Sequence, residues 1–404
     1  MQPDLKLYNT MTEQKESFHP RVPGKVSMFV CGPTVQGYLH VGHARTYTFY
    51  DVMARYLSHM GFEVNFLMNI TDIDDKITQV AKEEGVDAMR LAERYTKAFL
   101  EDTDSLKIYT VTKYERVSNY VQETLHEISA LIRDGNAYVV DGTVYFNTAT
   151  FPDFGKLSHM TPKELSLRPL ELSVKKKHLL DFTLWRPVVL VEGRWDSPWG
   201  RGSPGWHIQD TAVTLTNFGA QYDIHGGAYE LIYPHHEAEI AQGESLTKVK
   251  PLVNYWVHTG LVNTEGSKMS KSVGNVLTVR DILKEYGPDT LRLYLLSHHY
   301  REDMEFEEKG LKKMYEVYTS LRDKAKIMEE RRATKARRRD SGKVLGEFYA
   351  FLNDDFNTPQ AIAFMRKLIE DGASEKDQNQ VELYYEALRI TSNIIGVNFF
   401  GRFQ

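Results

Sequence analysis

A chain of 404 residues is too long for one ordinary domain and long enough to bury a large core. Its 42% apolar and 26% charged content is that of a globular protein, and a formal net charge of −5 excludes a bulk polycation, so any nucleic acid must meet a local basic face. Cys31 is the one cysteine, which excludes an internal disulfide framework. No run reaches membrane-span length, and the polar start MQPDLKLYNTMTEQKE has no apolar signal core, so a cytoplasmic enzyme with no membrane partner is expected.

Residues 1–24 read as a polar lead-in. Lys25 to Cys31 (KVSMFVC) is an apolar strand bounded by Pro23-Gly24 and Gly32-Pro33. From about Val41 to Met60, Ala44, Tyr47, Val52, Tyr56 and Leu57 recur at helical spacing, and Gly61 is a natural stop. A strand, a glycine-containing loop and a helix make a phosphate-binding geometry, because N–H groups at a helix start attract anions. His40 and His43 flank Gly42, and two imidazoles so placed could both donate to one polyphosphate; taken alone, such a pair is more often ordinary surface or core. Phe62 to Met68 alternates as a second strand and runs into the acidic cluster Asn69–Lys76, where open α/β sheets place their ligands.

Residues 78–135 are mostly helical in pattern. From about 136 to 200 short strands, turns and aromatics read as a β-containing insertion, in which Lys175–Lys177 is a solvated charge run or an RNA contact. Glycine-rich loops feeding helices return at Gly205–Asp210 and His225–Glu239. His235 and Glu239, four apart, share one helix face, with Pro234 suited to its first turn. Cys31 should reach the same sheet edge, and with Asp210 as a fourth donor the set suits zinc, although isolated H-x-x-x-E pairs are mostly structural. The loop EGSKMSKSVGN brings Lys268 and Lys271 three residues apart; after it the chain is almost wholly helical, with 308–330 and 341–396 able to form a bundle. The basic stretch Arg331–Arg339 between them is a phosphate patch or an interhelical loop. The fold expected is α/β, a doubly wound parallel (Rossmann-like) sheet with a connective insertion, followed by an all-α helical bundle. Its boundaries are 1–111, 112–200, 201–285 and 286–404.

The His40–His43 turn and the KMSKS loop, in this order, resemble the two signatures of class I aminoacyl-tRNA synthetases. From about residue 5 to 395 the chain is similar to cysteinyl-tRNA synthetases, through MFVCGPTV-Q-GYLHVGHAR, FLMNITDIDDKI, DFTLWRP, WDSPWGRGSPGWHI, PHHEAEIAQ, KMSKSVGN and DDFNTPQA. The resemblance implies ATP-dependent activation of L-cysteine and transfer to the terminal adenosine of tRNA(Cys), with Mg2+ accompanying the ATP and a monomeric state. It implies that Thr34, His40, Gly42 and His43 hold ATP, and that Lys268 and Lys271 stabilise its phosphates. Cys31, Gly32, Thr71, Trp206 and His235 line the amino-acid pocket, and Cys31, His235 and Glu239 are zinc ligands. Cysteine and serine differ by one atom, and a thiolate on zinc uses sulfur's softness to separate them.

The chain also departs from that family. Asp210 stands where a zinc-binding cysteine is usual, Gln209 replaces a glutamate, and the turn before the histidines becomes Ala228-Tyr229-Glu230. Asp210 either ligates zinc through oxygen or is only a hydrogen-bonding residue. The sequence given ends at Gln404, where many relatives continue into an anticodon-contacting domain, so mainly acceptor-end contacts are expected. Two other readings stay open: a ligase of this family that transfers cysteine or a related amino acid to a small amine, and a non-catalytic tRNA-binding paralogue.

Overall fold

The computed structural model describes residues 5–171, 173–187, 195–264, 267–268, 277–332 and 342–400. The chain opens as a hairpin, β1 (Lys6–Asn9) and β2 (Gln14–Ser17), in place of the expected polar lead-in. Leu5, Leu7 and Phe18 supply its buried side, and charged neighbours mask that pattern in the sequence. The hairpin is held at long range: Trp256 N donates to Asn9 Oδ1 at 3.0 Å and Thr10 N to the Trp256 carbonyl at 2.8 Å.

The next elements are β3 (Lys25–Val30), α1 (Val41–His59), β4 (Glu63–Ile70), α2 (Asp75–Glu84), α3 (Ala88–Ser105) and β5 (Lys113–Arg116). The short β5, within a stretch read as helical, has a polar sequence with no strand periodicity; pairing with β4 makes it a strand. After α4 (Val121–Arg133) come β6 (Ala137–Val140), β7 (Thr143–Phe146), the short α5 (Pro162–Ser166), β8 (Phe182–Pro187) and β9 (Gly202–Pro204). Those four strands form an antiparallel sheet in chain order. In this region Lys175 pairs with Asp141, Lys176 donates to two backbone carbonyls and Lys177 lies over the Tyr138 ring. The charge run is therefore occupied locally.

Then follow α6 (Trp206–Phe218), β10 (Tyr222–Ala228), α7 (Glu237–Thr247), β11 (Val253–Thr259), β12 (Val262–Thr264), β13 (Ser267–Lys268), α8 (Val279–Leu296) and β14 (Met304–Glu305). The described chain ends in α9 (Glu308–Arg331), α10 (Gly342–Asn353), α11 (Thr358–Ser374) and α12 (Gln378–Ile395). Most of the basic Arg331–Arg339 stretch lies outside the described residues.

The central sheet has the order β11-β10-β3-β4-β5, all parallel. The chain builds outward from β3 through β4 and β5, then returns and builds the other way through β10 and β11. The order reverses between β3 and β10, and a crevice opens at that switch point beyond the strand ends. Strand alternation divides two cores: Val26, Met28 and Val30 face α1 and the C-terminal helices, while Phe29 and Cys31 face α4, α6 and α7.

Helix α1 is covered by the sheet on one side and by α8 and α12 on another, so even Asp51 within it is fully buried. Arg292 of α8, also fully buried, donates to Asp51 Oδ2 at 2.7 Å and to the Ile395 and Leu106 carbonyls at 2.9 and 3.1 Å. That guanidinium bolts the C-terminal helices to the sheet domain. Asp51→Ala strands a buried charge and is expected to cost about 3–5 kcal/mol. Urea unfolding followed by circular dichroism measures this; a change below about 1 kcal/mol would remove the pair from that role.

Candidate active site

Strand parity assembles the site. Cys31 follows directly on β3, Asn69 lies in β4, His225 in β10 and His258 in β11, all on the face covered by α6 and α7. The parallel register, Val30 with Met68 and with Gly226, sets Cys31 level with Asn69. Helix α6 starts at Gly205, where a Cβ would fall 2.1 Å from the Thr183 carbonyl oxygen, so only glycine lets the helix start this close to β8. It delivers Trp206, His207 and Asp210. The turn entering α7 delivers His235 and His236, and the first turn of α7 holds Glu237 and Glu239, where carboxylates complement the helix N-terminus.

Cys31 is 6% exposed and lies at the centre of two overlapping donor sets. The outer set is Cys31, Asp210, His235 and Glu239. Asp210 Oδ2 is 3.6 Å from Cys31 Sγ and 3.0 Å from His235 Nε2, while Glu239 Oε1 is 3.0 Å from the same nitrogen. Asn69 Nδ2 donates to the other Asp210 oxygen at 2.7 Å, and its own Oδ1 accepts from Gly32 N at 2.6 Å. The inner set is Cys31, His225, His236 and Glu239.

Electrostatics in this pocket follow from burial. Burial, then Glu239 and Asp210, push the Cys31 thiol well above its ordinary value. Burial drives His225, His236 and His207 well down and His258 down to about 3. His235 goes the other way, up to about 9: burial opposes its charge, but Glu239 and Asp210 outweigh it. Glu239 is buried with Oε1 3.0 Å from His235 Nε2 and Oε2 3.6 Å from His225 Nε2. A buried carboxylate beside a thiol and imidazoles is a donor set that fits a divalent cation.

A cavity of about 420 Å3 opens from this floor. It brings together Cys31, Gly32, Thr71, Trp206, Asp210 and His235 at one end with His40, Gly42 and His43 at the other, and Thr34 also lines it. Glu239 sits behind the wall. Thr34 and Thr71 are bridged through their backbones, and Trp206 stacks on His235 with ring centroids 4.1 Å apart. Gly32 admits no side chain, since a Cβ there would meet the Asn69 carbonyl oxygen at 1.7 Å.

At the other end, His40 caps α1: its Nδ1 accepts from His43 N at 3.4 Å, and the two rings stack at 3.7 Å. The two imidazoles are therefore one stacked unit rather than two independent arms. A Cβ at Gly42 would lie 3.0 Å from His40 Cε1, so a side chain there would press on the imidazole. The segment leaving the KMSKS run is paired to this turn, with Val41 N donating to Leu277 O at 3.2 Å and Val279 N to Leu39 O at 2.8 Å. Lys268 lies in β13 opposite Asn263, and Lys271 lies outside the described residues. Arg45 of α1 donates to the carbonyls of Leu261, His299 and Glu302, holding the 260–262 wall of the cavity against the helix.

Sequence reasoning did not assign Asn69, His207, His225, His236 or His258. The doublet at His235–His236 and the histidine opening H-G-G at 225 were visible as residues. Their convergence on one sulfur comes from the register of distant strands.

Residues 17–316 match the family model for the catalytic domain of class I (C) tRNA synthetases, and residues 347–400 match the DALR domain. A cysteine–tRNA ligase of Carboxydothermus hydrogenoformans is 39% identical over 406 residues, covering 98% of this chain and 87% of that protein. One from Staphylothermus marinus is 41% identical over 409 residues, covering 97% and 86%. Among solved structures, Mycobacterium tuberculosis methionyl-tRNA synthetase in complex with methionyl-adenylate is similar at TM-score 0.63 and 16% identity, covering 92% of this chain and 89% of that one. That likeness is one of fold, and it agrees with the doubly wound sheet and helical C-terminal region. On the catalytic-domain match and the near-full-length relatives, the chain belongs to the cysteine–tRNA ligase family of class I tRNA synthetases.

Proposed function

We propose that the cavity floored by Cys31 is where this enzyme joins L-cysteine to ATP and then passes the cysteine to the 3′ end of tRNA(Cys). A carboxylate oxygen of cysteine attacks the α-phosphorus, the α–β phosphoanhydride bond breaks, and pyrophosphate leaves. A ribose hydroxyl of the tRNA then attacks the adenylate carbonyl and AMP departs. One observation carries this reading: a single cavity has a sulfur-and-imidazole floor at one end and the stacked His40–His43 turn at the other.

In this reading the ATP phosphates lie over the start of α1, where the positive end of the helix dipole favours anions and His40 and His43 add donors beside Thr34. Lys268 and Lys271, with Mg2+ on the ATP, offset charge as pyrophosphate separates. Cysteine occupies the end bounded by Gly32, Thr71 and Trp206, its thiol toward Cys31 and His235. Zinc held there by Cys31, Asp210, His235 and Glu239 would supply a soft acid that a thiolate satisfies and a serine hydroxyl does not. Asn69 fixes Asp210 by one oxygen and leaves the other facing His235, while Trp206 holds the His235 ring by stacking.

The working division is 1–111 and 201–285 for the catalytic halves, 112–200 for the insertion and 286–404 for the helical part, in a cytoplasmic monomer that binds tRNA. Among the described residues no helix is long and apolar enough to cross a membrane.

ATP–pyrophosphate exchange with each amino acid, followed by transfer to tRNA, tests the reading. Exchange is expected with cysteine and roughly 10^4-fold less with serine in kcat/KM. Equal exchange with serine, or no transfer to tRNA, would overturn it. Gly42→Ala displaces the His40 ring and is expected to lower kcat/KM for ATP about 100-fold. The KM for cysteine and the melting temperature should hardly move. An unchanged ATP dependence in that exchange assay would take the turn out of nucleotide binding.

A further inference from the structure

The loop from His299 to Asp303, between α8 and β14, is gripped on two sides by buried charged residues. On one side stands Arg45 of α1, which is 2% exposed and turns its guanidinium to backbone. Its Nη1 donates to Leu261 O at 2.8 Å, and its Nη2 to the carbonyls of His299 and Glu302. On the other side stands Asp355, fully buried between α10 and α11. Its Oδ1 accepts from the Tyr300 hydroxyl at 2.7 Å and from Tyr8 N at 2.8 Å, and its Oδ2 accepts from Arg301 Nε at 2.8 Å. Asp355 and Phe356 both have a left-handed backbone, φ +58° and +50°, which residues other than glycine rarely adopt. The bonds to Asp355 therefore hold the chain in a conformation that costs energy.

The loop in turn carries one wall of the cavity. Gly260 N donates to Tyr300 O at 2.7 Å, Leu261 N to Asp303 Oδ1 at 2.7 Å, and Met304 N to Leu261 O at 2.9 Å. Gly260 lies so close to the loop that a Cβ would fall 2.3 Å from the Glu302 carbonyl oxygen. Further on, Val262 pairs with Met304 and Asn263 with Glu305, and the other edge of Asn263 pairs with Lys268. Gly260, Leu261 and Val262 all line the cavity. Thr259, just before them, lies 2.8 Å from Thr46 of α1, hydroxyl to hydroxyl. The wall thus stands beside the first turns of α1, at the histidine end.

We infer that Asp355 is a positioning residue for the nucleotide end of the cavity. Through Tyr300 and Arg301 it fixes the loop, and through the loop it fixes the wall at 260–262 and the strand pair that carries the Lys268 backbone. The inference rests on the reading that the histidine turn holds ATP. Asp355 does not border the cavity, so its effect is one of geometry, and an error of about 1 Å in such a wall can lower a rate roughly 100-fold. Arg45 reaches the loop only from the α1 side and only through carbonyls, which leaves the Tyr300 and Arg301 side chains to Asp355.

ATP–pyrophosphate exchange on the full chain, run well below each variant's melting temperature, tests the assignment. Asp355→Asn keeps the shape and one accepting oxygen for Tyr8 and Tyr300, but turns an amide NH2 toward Arg301 Nε, so that two donors meet. It is expected to lower kcat/KM for ATP about 10-fold, with the KM for cysteine within about twofold of wild type. Adding Arg301→Gln sets an amide oxygen near the place of Nε, and this double variant should recover most of the loss. A merely structural role would give neither the split between substrates nor the recovery. Arg301→Ala, at a partly exposed position, removes the same bond without touching the buried carboxylate and should weaken ATP use in the same selective way. Unchanged kinetics in either single variant, equal losses for both substrates, or a double variant no faster than Asp355→Asn would overturn the assignment and leave the ATP reading standing. A wild type that shows no exchange with cysteine would overturn both.

Discussion

The site depends on the burial of one thiol. Cys31 is enclosed by imidazoles and two carboxylates where water cannot solvate an anion, so its proton is held tightly. Two buried carboxylates, Asp210 and Glu239, raise the cost of any further negative charge and lower the cost of a positive one. Within the protein alone, His235 carries that positive charge in part. A divalent ion would do so more completely and would release the thiol proton, which is why the donor set reads as a metal centre.

What places this cluster at one end of a nucleotide-sized hollow is the reversal of strand order between β3 and β10. Cys31 leaves β3 at the reversal, and the histidine turn starts α1 beyond it, so both ends of the cavity are set by one strand and the helix after it. The later part of the chain is fastened to the same point. Backbone bonds between Leu39–Val41 and Leu277–Val279 hold the exit of the KMSKS run against the histidine turn, and Arg45 does the same for the entrance at Leu261.

Much of this was legible. The strand–turn–helix from Lys25 to His59 follows from an apolar run, bounding glycines and helical spacing, and the structure places the helix within a residue of the expected start and end. His235 and Glu239 do face one another from adjacent turns, as four-residue spacing requires. The failures have a common cause. Hairpin β1–β2 and strand β5 are polar four-residue strands whose conformation is decided by partners far along the chain, and no local pattern encodes that. His225 sits on the Cys31 face because β10 pairs with β3 in a register that sets it level with Phe29, and His236 comes from the separate turn entering α7. The buried Arg292 was hidden for the same reason: its partners Asp51, Leu106 and Ile395 come from three separate segments.

Asp210, where the family resemblance implies a thiolate, bears on how this pocket holds a carboxylate. An aspartate keeps the formal charge of a thiolate but is harder, shorter in its bonds and hungry for hydrogen bonds. In this fold that appetite is met from the side, by Asn69 on one oxygen and His235 on the other. Each of those bonds competes with a metal for the same lone pairs. The imidazoles of His225 and His236 turn Nε2 toward the Cys31 sulfur, and in His225 also toward Glu239, while their Nδ1 atoms meet Tyr222 and His258. Position 210 is therefore held by hydrogen bonds that the protein itself supplies from two directions.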